Sequence, residues 1–431
     1  MSETIQTCRI TGTKDLITVL DLGAQCLTSV YPLPEEPDPS ISPLELVFAN
    51  DADGCHLIQL RHNASIEEMY GTTYGYHSSI SPTMVSHLKK KFDEVVAFVD
   101  LKPGECVLDI GCNDGTFLNF YEPFKVRRFG VDPSSKKFRD QFHRDITVEY
   151  KFFSEKVVRL MSGDEQYKII SSIAMFYDIN NPLEFMQQVS ALLQDDGIWL
   201  VEVAYLPLML STLAYDQVMH EHLTYLALCQ MSYMAQRAGL QLLDISTNYM
   251  NGGSINIICG KQSGPYQANQ QKITSMLAAE EPLKHLDTFQ RFATRVKNHR
   301  DEVRSLLGLL KQAGKSVCGY GASTKGNVVM NYCALDTSLV EAVCDKNPYK
   351  DGRLTPQTRI PIVSQETMRK RNPDYLFVNI WHLRQEVLLD ERDYILNGGT
   401  MIFSLPRLHL VQKDNYDRYL NASFDDLAYP L

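Results

Sequence analysis

Short apolar runs, each ending in an acid, a glycine or a polar turn, recur in two separate parts of the chain. The first set stands at 106–110, 128–131, 146–149, 168–173, 197–203, 240–244 and 254–259, with helical stretches between the earlier runs. That alternation predicts an α/β domain with a doubly wound, mainly parallel sheet, whose ligands lie beyond the carboxyl ends of the strands. Ahead of it, Val85, Leu88, Phe92, Val95 and Val96 mark a helix over 84–99. Behind it, Leu286, Phe289, Phe292 and Val296, then Val303, Leu306, Leu307 and Leu310, trace the apolar stripes of long helices across 274–312. The first pattern is then echoed. An apolar run enters Gly319 and Gly321, another runs from Val340 to Asp345, and strands are expected at 375–380, ending in Trp381-His382, and at 400–404.

The stretch at the centre of this organisation is Val107-Leu108-Asp109-Ile110-Gly111-Cys112-Asn113-Asp114-Gly115-Thr116. It reads as a strand turning into a helix, with glycines that let the backbone approach a ligand closely. Asp132 closes the next apolar run 23 residues after Asp109, near the spacing at which a second-strand acid grips a ribose. The acids decide which ligand. Asp109, Asp114 and Asp132 would repel a pyrophosphate, which argues against a nicotinamide cofactor. S-adenosylmethionine has no phosphate and carries a sulfonium cation, so it suits an acidic, glycine-lined crevice. Gly115 and, from the loop after the fourth strand, Met175 are expected beside it.

At 431 residues the chain has room for two or three domains. Apolar residues at 44% and charged at 22% describe an ordinary globular protein, and a net charge of −10 leaves no basic footprint for nucleic acid. Met1 to Leu16 lacks a signal-peptide core, and Glu202 and Pro207 interrupt the most apolar stretch, Ile198 to Leu213, which reads as a strand and a following loop. Ten scattered cysteines, several inside apolar runs, fit a reducing compartment. The expectation is a cytoplasmic protein without membrane or nucleic-acid partners.

Four other stretches carry chemistry. Cys8 and Cys55 open and close a unit over 1–66 like the ends of a zinc ribbon, but Thr11 and Ala52 stand where the partner thiols belong, so zinc is not expected. Tyr74-Gly75-Tyr76-His77-Ser78-Ser79 is either a packed connecting loop or one that lays polar tips over a ligand. His220-Glu221-His222 lacks the metalloprotease spacing and is read either as a solvated polar loop or as an imidazole base tuned by an acid. Gly319-Tyr320-Gly321-Ala322-Ser323-Thr324-Lys325 replaces the acids of the first glycine loop with Ser, Thr and Lys, which suits a phosphate although the P-loop spacing is wrong. The alternative is a Rossmann-like unit used only for packing. Asn251-Gly252-Gly253-Ser254 reads as a hairpin turn.

Together and in this order, these motifs resemble the three-domain sugar C-methyltransferases that act on nucleotide-linked 4-keto-deoxyhexoses. The resemblance implies a degenerate zinc-ribbon-like domain over 1–66, a Rossmann-like class I S-adenosylmethionine domain over 67–265, and a helical linker with a C-terminal Rossmann-like domain over 266–431. It implies that His222 is the general base supported by Glu221, that Tyr74 sits beside the sugar as a catalytic residue, its hydroxyl a suitable donor to an enolate oxygen, and that Gly111, Asn113, Asp114 and Asp132 line the cofactor. Tyr76, Ser79, His220, Tyr320, Thr324 and Lys325 are the expected substrate contacts. The implied reaction is removal of the C3 proton beside a 4-keto group followed by methyl transfer. Its alternatives are a sugar O-methyltransferase and a non-catalytic sugar-nucleotide binding protein. A monomer or small homo-oligomer is expected. The chain departs from the family in its missing ribbon cysteines, in Met219 where several relatives carry tyrosine, and in a loop 174–178 without the usual asparagine and histidine.

Overall fold

The computed structural model describes residues 3–51, 54–69, 77–140 and 142–431. Among these, a seven-stranded sheet runs in the order Leu240–Asn248, Ser254–Lys261, Leu193–Ala204, Tyr167–Ile173, Cys106–Ile110, Arg127–Val131, Ile146–Glu149. Neighbours are parallel except Ser254–Lys261, which is antiparallel to both of its partners. The apolar runs were continuous because the central strands are covered on both faces. Val107, Ile169, Ile198 and Leu200 point to one layer, where they meet Met84, Leu88 and Phe92 of the helix Pro82–Phe98. Their chain neighbours Leu108, Ile170, Trp199 and Val201 point to the other layer and meet Phe185, Met186 and Val189 of the helix Pro182–Leu192. Pro82–Phe98 starts where expected because the Ser81 hydroxyl accepts the Met84 N–H at 3.3 Å and Pro82 stands in the first turn.

The stretch after Ala204 is a short helix, Leu206–Ser211, and not the expected loop. Pro207 is tolerated in its first turn, and Leu206 and Leu210 are buried. The helices expected over 274–312 are Gln270–Ala279 and Leu286–Gln312. They lead into a six-stranded sheet in the order Ile362–Ser364, Val343–Asp345, Val317–Tyr320, Tyr375–Val378, Thr400–Phe403, His409–Val411, parallel apart from the last strand. The sequence echo has a structural counterpart. Gly111 N–H donates to Val131 O at 2.9 Å and Gly321 N–H to Cys344 O at 2.8 Å. The acid after the second strand then caps each loop, Asp132 accepting from Asn113 N–H and Asp345 from Ala322 N–H, both at 2.9 Å.

The N-terminal unit is a four-stranded antiparallel sheet of Leu16–Cys26, Ile41–Ala49, Ile58–Leu60 and Thr224–Tyr225. Its edge strand comes from far along the chain. Gln59 pairs with Thr224, Ile58 with Tyr225, and Leu60 N–H donates to Leu223 O at 3.0 Å. The unit expected over 1–66 is therefore not closed on itself, and it buttresses the segment that carries His222. No helix among the described residues is long and apolar enough to cross a membrane.

Candidate active site

The strand Cys106–Ile110 lies between Tyr167–Ile173 and Arg127–Val131. The loops leaving residues 110 and 173 therefore diverge at the switch point of the sheet, where α/β folds hold ligands. A cavity of about 660 Å³ opens there, at the meeting of all three units. Gly111 has φ +80°, and a Cβ placed on it would stand 3.0 Å from Met175 Cγ, so only hydrogen leaves the crevice open. Asp132 accepts the Ser134 N–H at 2.6 Å as well as that of Asn113, and the Ser135 hydroxyl donates to the Asn113 carbonyl. Gly130 is required by close approach, since a Cβ would come 2.7 Å from Cys112 Sγ. Asp109 accepts the Ser171 hydroxyl at 2.6 Å. Burial pushes its carboxyl up to about 7, the Ser171 bond offsetting this only in part and the Asp132 carboxylate adding to it.

Asp109, Gly111, Asn113, Asp132 and Met175 line the cavity; Asp114 and Gly115 stand off its wall. Asp114 shapes the loop instead. It accepts the Thr116 hydroxyl at 2.7 Å and the Ser79 N–H at 2.8 Å, bonds that outweigh burial and hold its carboxyl below the ordinary range. The Ser79 side chain is exposed, and Ser78 is the serine that lines the cavity, its N–H donating to Asn113 Oδ1 at 3.0 Å. That corrects the contact expected of Ser79. Tyr74 and Tyr76 lie outside the described residues.

The His-Glu-His segment is not a solvated loop, because residues 212–228 are buried throughout. His222 lines the cavity with its ring 4.3 Å from that of Tyr177. Burial, and then the nearby Lys325 charge, push its imidazole down to about 3, so it is neutral. His220 is corrected from substrate contact to structural residue. Its Nε2 lies 3.1 Å from the Ser42 carbonyl, turned toward the N-terminal sheet. Glu221 lines the cavity with Oε2 lacking a hydrogen-bond partner among the described residues, and no hydrogen bond of those residues joins it to His222.

The second glycine loop faces the same cavity with Thr324 and Lys325. Ser323 caps the helix Thr324–Tyr332 by accepting the Gly326 N–H at 2.9 Å. Lys325 Nζ donates to the Asn251 carbonyl, so the turn 251–254 is a cavity wall as well as a hairpin connection. Burial lowers the Lys325 pKa and Asp216 opposes this. Tyr320, at the end of its strand, points into the C-terminal unit. Its hydroxyl donates to Glu391 Oε1 at 3.2 Å and accepts from Gln365 Nε2 at 2.6 Å, which corrects the substrate contact expected of it. Sequence reasoning missed Glu202, which lines the cavity and lies 2.8 Å from His87 Nε2, and Lys350, which donates to the Ala322 carbonyl at 2.7 Å. His382 was legible only as the end of a strand, and it too lines the cavity.

Three family profiles match the chain in succession. They are described as "Putative zinc binding domain" over residues 8–70, "Methyltransferase domain" over 84–245 and "C-methyltransferase C-terminal domain" over 249–406. The C-methyltransferase NovU of Streptomyces niveus is 28% identical over 417 residues, covering 95% of this chain and 98% of that one. The chain thus matches methyltransferase profiles over its central and C-terminal parts and a putative zinc-binding profile near its N-terminus. Among solved structures, the CcbJ methyltransferase of Streptomyces caelestis is 14% identical over 45% of this chain and 98% of its own, with TM-score 0.34. The plantazolicin methyltransferase BpumL, solved with SAH, is 14% identical over 42% of this chain and 86% of its own, with TM-score 0.33.

A cationic methyl donor such as S-adenosylmethionine fits the cradle between Gly111 and Met175, with Asp109 and Asp132 at its rim. A pH dependence follows. Asp109 gains its negative charge as pH rises through about 7, so affinity for the cationic ligand should strengthen from pH 6 to 8. The gain cannot exceed about tenfold per pH unit, and Asp109→Asn should flatten it. Titration calorimetry across that range is the check, and an equal slope in the variant would clear Asp109 of the effect.

The residues of the N-terminal unit do not fit the zinc that its profile names. Cys8 Sγ and Cys55 Sγ lie 4.0 Å apart, and the Thr11 hydroxyl donates to Asp51 at 2.7 Å where a second thiol pair would sit. No group of three metal-ligating side chains is assembled among the described residues. A strong chelator is therefore expected to leave the thermal midpoint of the methyltransferase unchanged within about 1 °C, against the several degrees that losing a structural metal would cost.

Proposed function

We propose that this methyltransferase methylates C3 of a nucleotide-linked 4-keto-deoxysugar, with His222 as the base. The observation that carries the reading is the pairing of a buried, neutral imidazole with the Gly111–Met175 cradle in one cavity. A carbon acid needs a base that is unprotonated at working pH and shielded from water, and His222 meets both conditions. The 4-keto group acidifies the C3 hydrogen, and the S-adenosylmethionine sulfonium supplies an electrophilic methyl to the carbon so exposed. The second glycine loop supports a nucleotide handle on the sugar. Thr324 and Lys350 line that end of the cavity, where a diphosphate would find a hydroxyl and a cation instead of acids. The match to NovU, a C-methyltransferase, favours carbon over oxygen as the acceptor.

The test is incubation with S-adenosylmethionine and a panel of nucleotide 4-keto-deoxysugars in heavy water. Solvent deuterium should enter C3, and the product should gain one methyl by mass. Methylation that persists after the ketone has been reduced would identify an O-methyltransferase.

A further inference from the structure

We infer that Lys325, supplied by the C-terminal Rossmann-like unit, holds the enolate oxygen formed when His222 removes the C3 proton. The inference rests on the reaction proposed above. An enolate needs a donor aimed at the oxygen where charge develops, in a site shielded from water. Lys325 meets that need by position. It follows the Ser323 cap at the start of the helix Thr324–Tyr332, lines the cavity with His222, and spends one donor on the Asn251 carbonyl, leaving the others for a ligand. Its charge acts on His222 and on His382, so the three groups face one space. Asp216 acts on Lys325 by its charge, but its Oδ2 accepts the Trp381 indole N–H at 2.7 Å and its Oδ1 has no hydrogen-bond partner among the described residues, so it takes no donor from the amine.

The electron count closes. The C3–H pair moves into the enolate and onto O4, where the Lys325 ammonium donates to it, while the proton goes to the His222 ring. The pair then returns through C3 to form the C–CH3 bond, the S–CH3 pair stays on sulfur, and His222 releases its proton to solvent. The same cation adds to burial in keeping the resting imidazole neutral. Once the enolate neutralises Lys325, the imidazolium beside it is no longer opposed. The titratable groups around His222 are Glu221 and Asp216 on its own segment, Tyr177 and Asp178 on the loop after Tyr167–Ile173, and Lys325 and His382 on the C-terminal unit. Of these, Lys325 is the charge that presses on His222.

The experiment measures C3 hydrogen–deuterium exchange at saturating nucleotide 4-keto-sugar, with S-adenosylhomocysteine in place of the methyl donor. Lys325→Met should lower the exchange rate at least about 100-fold, while Lys325→Arg keeps a tenth or more of it. The part of the acid limb set by His222, below pH 5 in the wild type, should move up in Lys325→Met, because His222 loses the charge that adds to burial in lowering its pKa. Affinity for the nucleoside diphosphate alone should change less than about threefold. Saturated exchange near the wild-type rate, with affinity for the diphosphate lost, would put Lys325 on the phosphates and overturn the inference. Should Lys325→Met fail to bind S-adenosylhomocysteine, Lys325→Arg decides alone, and loss of exchange with an unmoved pH profile counts against the inference. Wild-type protein that exchanges no sugar of the panel removes the proposed reaction, and the role of Lys325 with it.

Discussion

His222→Ala is expected to lower methyl transfer about a thousandfold, within the range that one positioned general base contributes, while affinity for S-adenosylmethionine stays within a few-fold. The two effects separate because the ring and the Gly111 cradle belong to different segments lining the cavity, one before the strand Thr224–Tyr225 and the other after Cys106–Ile110. Single-turnover mass gain and titration calorimetry measure them independently. The resting imidazole is held down to about 3, so its protonation cannot limit the free enzyme between pH 5 and 8. An acid limb in that range must come from another group, and it should survive in His222→Gln at whatever residual rate remains. Turnover retained in His222→Ala would remove this residue as the base. Simultaneous loss of cofactor binding would show instead that the buried segment had collapsed. Glu221 is then the informative second position. It makes no hydrogen bond to His222 among the described residues, so Glu221→Gln should change the KM for the sugar more than the pKa of the base.

How far the sequence could be read follows from what each signal encodes. The central strands were legible because both faces of their sheet are covered, so each apolar run stands out without alternation. The turn at Gly111 and the acid Asp132 were legible as strand ends at the ligand-binding edge of the sheet, since a glycine turn and a second-strand acid recur at that spacing in α/β units. The edge strand Thr224–Tyr225 was not. Two residues carry too little pattern, and their partner Ile58–Leu60 lies more than 160 residues away. The direction of a side chain on an irregular segment was equally hidden. His220 and His222 are two apart, yet one turns to Ser42 and the other to the cavity, a difference fixed by the N-terminal sheet docking against them. Tyr320 failed for the opposite reason. A motif places the loop, but the polar partners Glu391 and Gln365 that draw the ring inward come from elsewhere in the chain. Glu202 and Lys350 carry no local motif, and only the folding together of the units brings them to one wall.

Gly111→Ala should cut S-adenosylmethionine affinity on the order of 10- to 100-fold, which corresponds to about 1.4 to 3 kcal/mol. Two penalties act at this position. A φ of +80° is open to glycine but strained for an L side chain by roughly 1–2 kcal/mol. The new methyl would also stand 3.0 Å from Met175 Cγ, pushing the two sides of the cradle apart or occupying the ligand's space. The double variant Gly111→Ala with Met175→Ala separates them. Trimming Met175 removes the clash, so the thermal midpoint should recover in part; affinity should not, because the methyl still projects into the crevice and the Met175 contact is gone. Calorimetry and thermal melts on the three variants give both quantities. Affinity for S-adenosylmethionine that is unchanged in Gly111→Ala, with only the midpoint lowered, would mean that this turn is structural and that the donor binds elsewhere in the cavity.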